Sequence, residues 1–282
     1  MSKQKIGLGV VTCNKPERLL QSGKTIPDVD ELVIVNDGKA YVDEVYPKDA
    51  EIIQHEKNMC VGVSKNDAMR YLIQAGCEHI FLMEDDVLIK NPGVFEAYIK
   101  AAEVSGIWHM NYGLQGPANR KQTEKGPMNV EQRQLLEQDS EPNPRAVIDY
   151  DGINIAFYPN SVGAFSYFLR GVIKEIGYHD EHFKNAWEHV EHTYRIIKAG
   201  LHPPFWWFAD LANSGEYLAD IPGCIEDSTI AHTPEWMDNF RRGMAWYKQK
   251  HGWTPQETPD TDPNEVIKIL DQIKTNYART VL

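Results

Sequence analysis

Cysteine is scarce and scattered: four residues in 282 (Cys13, Cys60, Cys77 and Cys224), with no Cys-x-x-Cys pair among them. They read as reduced, mostly buried thiols of a cytoplasmic protein rather than a disulfide framework. Apolar runs long enough to span a bilayer are missing, so no membrane partner is expected. The first five residues lead into a strand with no signal-like apolar stretch. Positive charge is in deficit, with 29 Lys and Arg against 41 Asp and Glu and a net charge of −12. That balance argues against a nonspecific binder of nucleic acid or of anionic membranes. There is no internal repeat and no low-complexity tract. What is present is ordinary: 42% hydrophobic and 25% charged residues, enough for a substantial core in one large α/β domain or two small ones.

The most informative stretch is residues 80–89, in which two apolar runs enclose Glu84, Asp85 and Asp86. The first run reads as a buried strand, and a strand does not hide three acids in a core without a partner. At the C-terminal end of such a strand the acids stand where open α/β sheets bind ligands. Oxygen-rich clusters of this kind hold hard cations such as Mg²⁺ or Mn²⁺, often shared with substrate phosphates.

Strands and helices alternate through the first third. Strands are expected at 6–11, 31–35, 52–53 and 80–83, with helices starting at 15 and spanning 61–74. Strands separated by helices of this length imply a mainly parallel, Rossmann-like sheet. Residues 113–145 are polar throughout, with one weakly helical piece at 130–136, and read as a lid or flexible insertion. Short strands follow at 153–158 and 163–169, an amphipathic helix at 187–198, and an aromatic strand at 203–208. Two helices, 236–250 and 264–276, close the chain across a Pro/Thr/Asp-rich linker.

In a parallel sheet three strand ends converge on one edge: Thr12-Cys13-Asn14, Asn36-Asp37-Gly38 and Glu84-Asp85-Asp86. The result is a pocket with polar groups, a backbone-exposing glycine and an acid cluster, suited to a nucleoside diphosphate. Asp37 would accept from the base or ribose, and a metal would neutralise the diphosphate. Taken singly the parts are plain: Asn36-Asp37-Gly38 is a turn and Asn14 a helix cap.

These segments resemble the GT-A fold glycosyltransferases, particularly the family 2 group and its chondroitin-type and polypeptide-glycosylating relatives. Residues 10–15 are similar to the family's first strand and Thr-x-Asn turn, and 31–38 to its second strand and Asp-Gly turn. Residues 58–66, with Asn58, Lys65 and Asn66, resemble its Asn-x-Gly…Arg-Asn segment, Lys65 standing where Arg is common. Glu84-Asp85-Asp86 resembles its DxD motif. The resemblance implies that Asp86 ligates the metal, that Asp85 or Glu84 supports the ribose or donor sugar, and that Thr12, Asn14 and Asp37 line the same donor site. Residues 187–200 resemble the family's Glu-Asp-bearing helix, whose acidic pair supplies the general base. Here the pair is Glu188-His189, and Glu188 is the first choice of base, His189 the second. His232 stands where relatives carry a C-terminal histidine that completes the metal site.

The resemblance thus implies a GT-A domain over residues 1–235, divided into a nucleotide-sugar half (1–112), the insertion (113–145) and an acceptor half (146–235), with a helical extension at 236–282. The implied reaction is metal-dependent, inverting transfer of a sugar from a nucleotide-sugar, with UDP expected, to a hydroxyl acceptor. A nucleotidyltransferase would share sheet and acids, but the chain lacks a Gly-rich basic triphosphate loop near its first strand. A noncatalytic nucleotide- or sugar-binding module and a modified-base acceptor in nucleic acid also stay open. His189 and His192 lack the spacing of helix-borne zinc sites, and the basic residues at 241–242 and 248–251 read as a solvated helix face.

Overall fold

The computed structural model describes residues 4–121, 141–224, 227–230 and 233–281, with side chains to 277. In chain order the elements are β1 (Ile6–Thr12), α1 (Pro16–Gly23), β2 (Glu31–Asn36), β3 (Glu51–Gln54), α2 (Val61–Gln74), β4 (His79–Glu84), β5 (Val87–Ile89), α3 (Val94–Ser105) and β6 (His109–Asn111). Beyond the insertion come β7 (Ala146–Tyr150), β8 (Ile153–Tyr158), β9 (Phe165–Leu169), α4 (Arg170–Ile176), α5 (Glu188–Lys198) and β10 (Phe208–Leu211). A helical turn α6 (Ser214–Tyr217), β11 (Leu218–Asp220), α7 (Trp236–His251) and α8 (Pro263–Val281) complete the chain.

The central sheet has the order β3-β2-β1-β4-β9-β6. Its first four strands are mutually parallel, and β9 runs antiparallel to both β4 and β6. The chain leaves β1 toward β2 and β3, then returns through α2 to β4 on the other flank of β1. The β1/β4 junction is therefore a topological switch point, and the crevice at its carboxyl end is the ligand position such sheets provide. The mixed α/β sheet flanked by helices matches the expected fold class.

Local sequence explains how closely the layers meet. In β1, Cβ atoms placed on Gly7 and Gly9 would lie 2.6 Å from Leu72 Cδ2 and from Ala68 Cβ. Their absence lets α2 lie directly on the sheet, burying Ala68, Met69 and Leu72 completely. On the other side Phe81, Phe95, Tyr98, Phe165 and Tyr167 form an aromatic cluster with ring centroids 4.7–6.4 Å apart. The last helix joins the same core through Val266, Leu270 and Ile273.

Three expectations need correction or a limit. The aromatic segment 203–207 is not a strand: Pro203 and Pro204 cannot donate to a ladder, and Trp207 N–H closes a turn onto Pro204 O at 3.0 Å, so pairing begins only at Phe208. Residues 90–112, left unassigned by sequence, hold α3 and β6. The helical piece at 130–136 lies outside the described residues; the base of the insertion is closed by an antiparallel bridge between Arg120 and Pro142.

Candidate active site

The switch point is stitched by side chains from distant parts of the chain. Thr12, the last residue of β1, donates its hydroxyl to Asp85 Oδ2 at 2.5 Å, and Tyr41 OH lies 3.1 Å from the same Thr12 oxygen. Asp85 N–H bonds back to Val11 O at 3.1 Å, which fixes the acid turn against β1. Burial pushes the Asp85 carboxyl up to about 7, against the opposing pull of the Thr12 hydrogen bond and of Arg18. Asp86 is raised well above the usual carboxylate range by burial and then by its neighbours Glu84, Asp85 and Asp220. Asp85 and Asp86 are thus carboxyls buried among other carboxylates.

Asp220 was not singled out by sequence. It enters because β11 pairs with β5, with Ile221 N–H donating to Asp86 O at 2.8 Å. Its Oδ2 accepts from Gly116 N–H at 2.8 Å, while its buried Oδ1 has no hydrogen-bond partner. Only strand pairing across more than 130 residues of sequence brings it to the triplet. The unpartnered Asp220 oxygen and the neighbouring carboxylates offer donors of the kind a hard cation takes. Among the described residues no three such side chains converge on one point, and His232 lies outside them.

The cleft at this edge is lined by Thr12, Cys13, Asp37, Asn58, Val61, Ser64, Glu84 and Asp85, with Asn185, Thr229 and Ile230 closing one wall. Asp37 Oδ1 is held by Met59 N–H at 2.6 Å and by His55 Nδ1 at 2.7 Å. Asn58 Nδ2 reaches Cys13 Sγ at 3.4 Å. Val61 N–H, at the start of α2, donates to Asn185 Oδ1 at 3.0 Å, tying the loop before α5 to the start of α2. A groove of 790 Å³ lies elsewhere, at the start of β2 and β3 beside Glu31 and Glu51, and none of the acid triplet lines it.

Lys65 and Asn66 do not reach the cleft. Lys65 is 2% exposed and lies beneath it, its Nζ donating to Glu84 Oε1 at 2.6 Å and to Gly163 O at 2.9 Å, with Glu188 Oε1 at 3.7 Å. Burial works against its charge, but Glu84 and Glu188 outweigh it and hold the ammonium above its ordinary pKa. Asn66 is fully buried and clamps the loop after α4, donating to His179 O at 3.0 Å and accepting from His179 N–H at 2.8 Å. Asn14 is not the cap of α1, which begins after Lys15 with Pro16 at its first position. It adopts φ 56° and accepts from Lys39 N–H at 2.9 Å, bracing the turn after β2.

Glu188 and His189 open α5. Glu188 is 3% exposed, and its Oε1 lies 3.0 Å from His189 Nδ1. Burial alone would raise the Glu188 carboxyl, yet His189 and Lys65 bring it down to about 2. An ionised carboxylate only accepts, so in this contact His189 Nδ1 is the donor. Gly163 makes room for that ring: a Cβ there would sit 2.8 Å from His189 Cγ. The contacts Glu84–Lys65–Glu188–His189 thus run unbroken from the acid triplet to the head of α5. The basic residues of α7 are largely spent elsewhere, Lys250 on Asp180 and Glu191, Lys248 on Glu257 and Arg241 on Asp238.

No family model and no curated protein sequence matches the chain. Its architecture is the GT-A fold seen in glycosyltransferase structures. It is similar to TarS from S. aureus at 14% identity and a TM-score of 0.51, covering 98% of this chain and 44% of that one. The 1–349 form of TarS gives 14% and 0.51, over 97% and 71% of the two chains. GalNAc-T7, crystallised with UDP, GalNAc and Mn²⁺, gives 10% and 0.50, over 99% and 57%. The chain spans less than half of the longer TarS chain, and these likenesses establish the fold. No helix among the described residues is long and apolar enough to cross a membrane.

Proposed function

We propose that this protein is a metal-dependent, inverting glycosyltransferase that moves a sugar from a nucleotide-sugar, UDP being the expected nucleotide, to a hydroxyl acceptor. The observation that carries the reading is the line of charged contacts from Glu84 through Lys65 to Glu188 and His189, which joins an acid cluster at the switch point to a positioned acid–imidazole pair. The GT-A fold, shared with a protein crystallised with UDP, GalNAc and Mn²⁺, supports it.

In this reading Thr12, Asp37, Asn58 and Asp85 form the wall against which the nucleotide lies. Asp86, with His232, would hold Mn²⁺ or Mg²⁺, which when bound neutralises charge on the departing diphosphate. At the other end a group with a pKa near 2 has little drive to take a proton from a hydroxyl, so Glu188 is the weaker candidate base. It serves as the carboxylate that orients the imidazole, by the logic of an Asp–His pair. His189 Nε2 takes the acceptor hydroxyl's proton as its oxygen attacks the anomeric carbon from the face opposite the leaving group. The anomeric C–O bond breaks and its electron pair leaves on the diphosphate. This reverses the order of preference that the sequence suggests.

The test is thermal stability against UDP, GDP, CDP, dTDP and ATP, each with Mn²⁺ and with EDTA. A ligand that binds only the folded state raises its melting temperature. The expected outcome is a Mn²⁺-dependent rise with a diphosphate, UDP first. A rise with ATP alone would redirect the reading to nucleotidyl transfer, and no rise with any nucleotide would overturn it.

A further inference from the structure

Two tryptophans hold left-handed backbone conformations that side-chain-bearing residues rarely adopt: Trp187 at φ 71° and Trp206 at φ 73°. They are distant in sequence, yet both line one cavity of 160 Å³ beside the head of α5. Strain that converges on a cavity is a pointer to a ligand site. Both indole N–H groups are already spent, Trp187 Nε1 on Phe240 O at 3.1 Å and Trp206 Nε1 on Thr258 O at 2.7 Å. The rings are therefore fixed in place before anything binds. Gly243, inside α7, supports this, since a Cβ there would lie 2.8 Å from Trp187 Cδ1.

The rest of the lining narrows the ligand. Phe205 and Phe208 add two more aromatic rings, and Asn160, Ser161 and Gln256 add polar groups. Ser161 Oγ is buried without a hydrogen-bond partner, and a buried hydroxyl left unpaired is costly unless a ligand completes it. Among the described residues no charged side chain lines the cavity, so phosphate and carboxylate ligands find no counter-charge there. Its volume is below the ~300 Å³ at which pockets for drug-sized ligands begin, and suits a single ring. A pyranose, with an apolar C–H face and a rim of hydroxyls, matches aromatic walls edged by a hydroxyl and an amide. Position agrees: Trp187 and Val190, on either side of Glu188 and His189 in the chain, both line the cavity. Ser161 stands two residues before Gly163, which packs under the His189 ring.

We propose that this cavity is the acceptor subsite and that it takes a neutral sugar ring, making the acceptor a carbohydrate. The proposal rests on the glycosyltransferase reading for its role, but the binding itself is testable without it. Saturation-transfer NMR of the full chain would be run with methyl glycosides of glucose, galactose and N-acetylglucosamine, and with methyl glucuronide as the charged control. We expect transfer to the ring protons of at least one neutral glycoside and none to the glucuronide. Trp206→Ala should weaken that binding by about tenfold or more. Gln256→Trp, at an exposed position, should block the mouth and remain informative if Trp206→Ala does not fold. Absence of transfer to every neutral glycoside, equal binding of the glucuronide, or unchanged binding in Gln256→Trp would each overturn the assignment. UDP binding with Mn²⁺ is measured on the wild-type protein as a separate arm. Its failure would remove the donor reading and leave the saccharide result standing.

Discussion

Lys65 is the residue on which the two halves of the site depend. It is a buried cation between Glu84, at the end of a strand, and Glu188, at the head of a helix 104 positions after Glu84. Taking away one partner of a buried ionic set costs about 3–5 kcal/mol, because the remaining charges stay desolvated. Lys65→Met should therefore lower the unfolding free energy by an amount of that order, read as a lower urea midpoint at unchanged m, and an unchanged midpoint would show that the acids are neutralised elsewhere. At the other end of the line, His189→Ala should lower turnover by ~10²–10⁴, the usual contribution of a positioned general base. Glu188→Gln should cost less turnover, since it removes the group that orients the ring and not the base itself, with nucleotide affinity nearly unchanged in both. If steady-state kinetics give the opposite order, Glu188 is the base after all. The residue types at 84–86 and 188–189 were legible as chemistry in the sequence. The burial of Lys65 was not, because a lysine in a helix looks the same whether it faces water or two carboxylates.

At the scale of elements, α2 is placed by what β1 omits. A methyl on Gly9 would meet Ala68 Cβ at 2.6 Å, and neither atom can swing aside. Gly9→Ala should push α2 off the sheet, costing about 1–3 kcal/mol in a denaturation experiment. It should also lower activity, since α2 carries Lys65; full stability and activity would mean that the sheet yields instead. The span of α2 was readable from its apolar spacing, and it matches at both ends. The run Pro203 to Phe208 was misread because aromatic density looks like a strand, whereas its two prolines and the left-handed Trp206 make a turn. Asn66 was misread for the opposite reason: a sequence motif fixes the residue type but not the direction of the side chain.

For the whole molecule, acid is the expected weakness. His109, His179, His192 and His202 are buried where the sheet meets α5, with the rings of His179 and His192 4.4 Å apart. Burial depresses all four, taking His192 and His202 down to about 4. The unfolded chain protonates these residues near pH 6.5, whereas in the folded chain His192 and His202 resist protonation until about pH 4 and the other two are also held well below their ordinary range. Their contribution is thus fully present above pH 6.5 and is lost as pH falls from there to about 4. Each shift from 6.5 to about 4 is worth roughly 3 kcal/mol. Denaturant titrations at pH 7.5 and pH 5 should show a clear loss at the lower value, and equal midpoints would mean that these imidazoles are not buried as described. The sequence by itself determined the alternation of strands and helices through the first third, the strand-end acids and the absence of a membrane-length apolar run, because each is written in local patterning and residue type. Tertiary structure alone decided that Asp220 joins the acid triplet, that Lys65 links it to Glu188 and that Trp187 and Trp206 share a cavity. Those contacts depend on the closure of distant segments onto one sheet edge, and no local pattern encodes them.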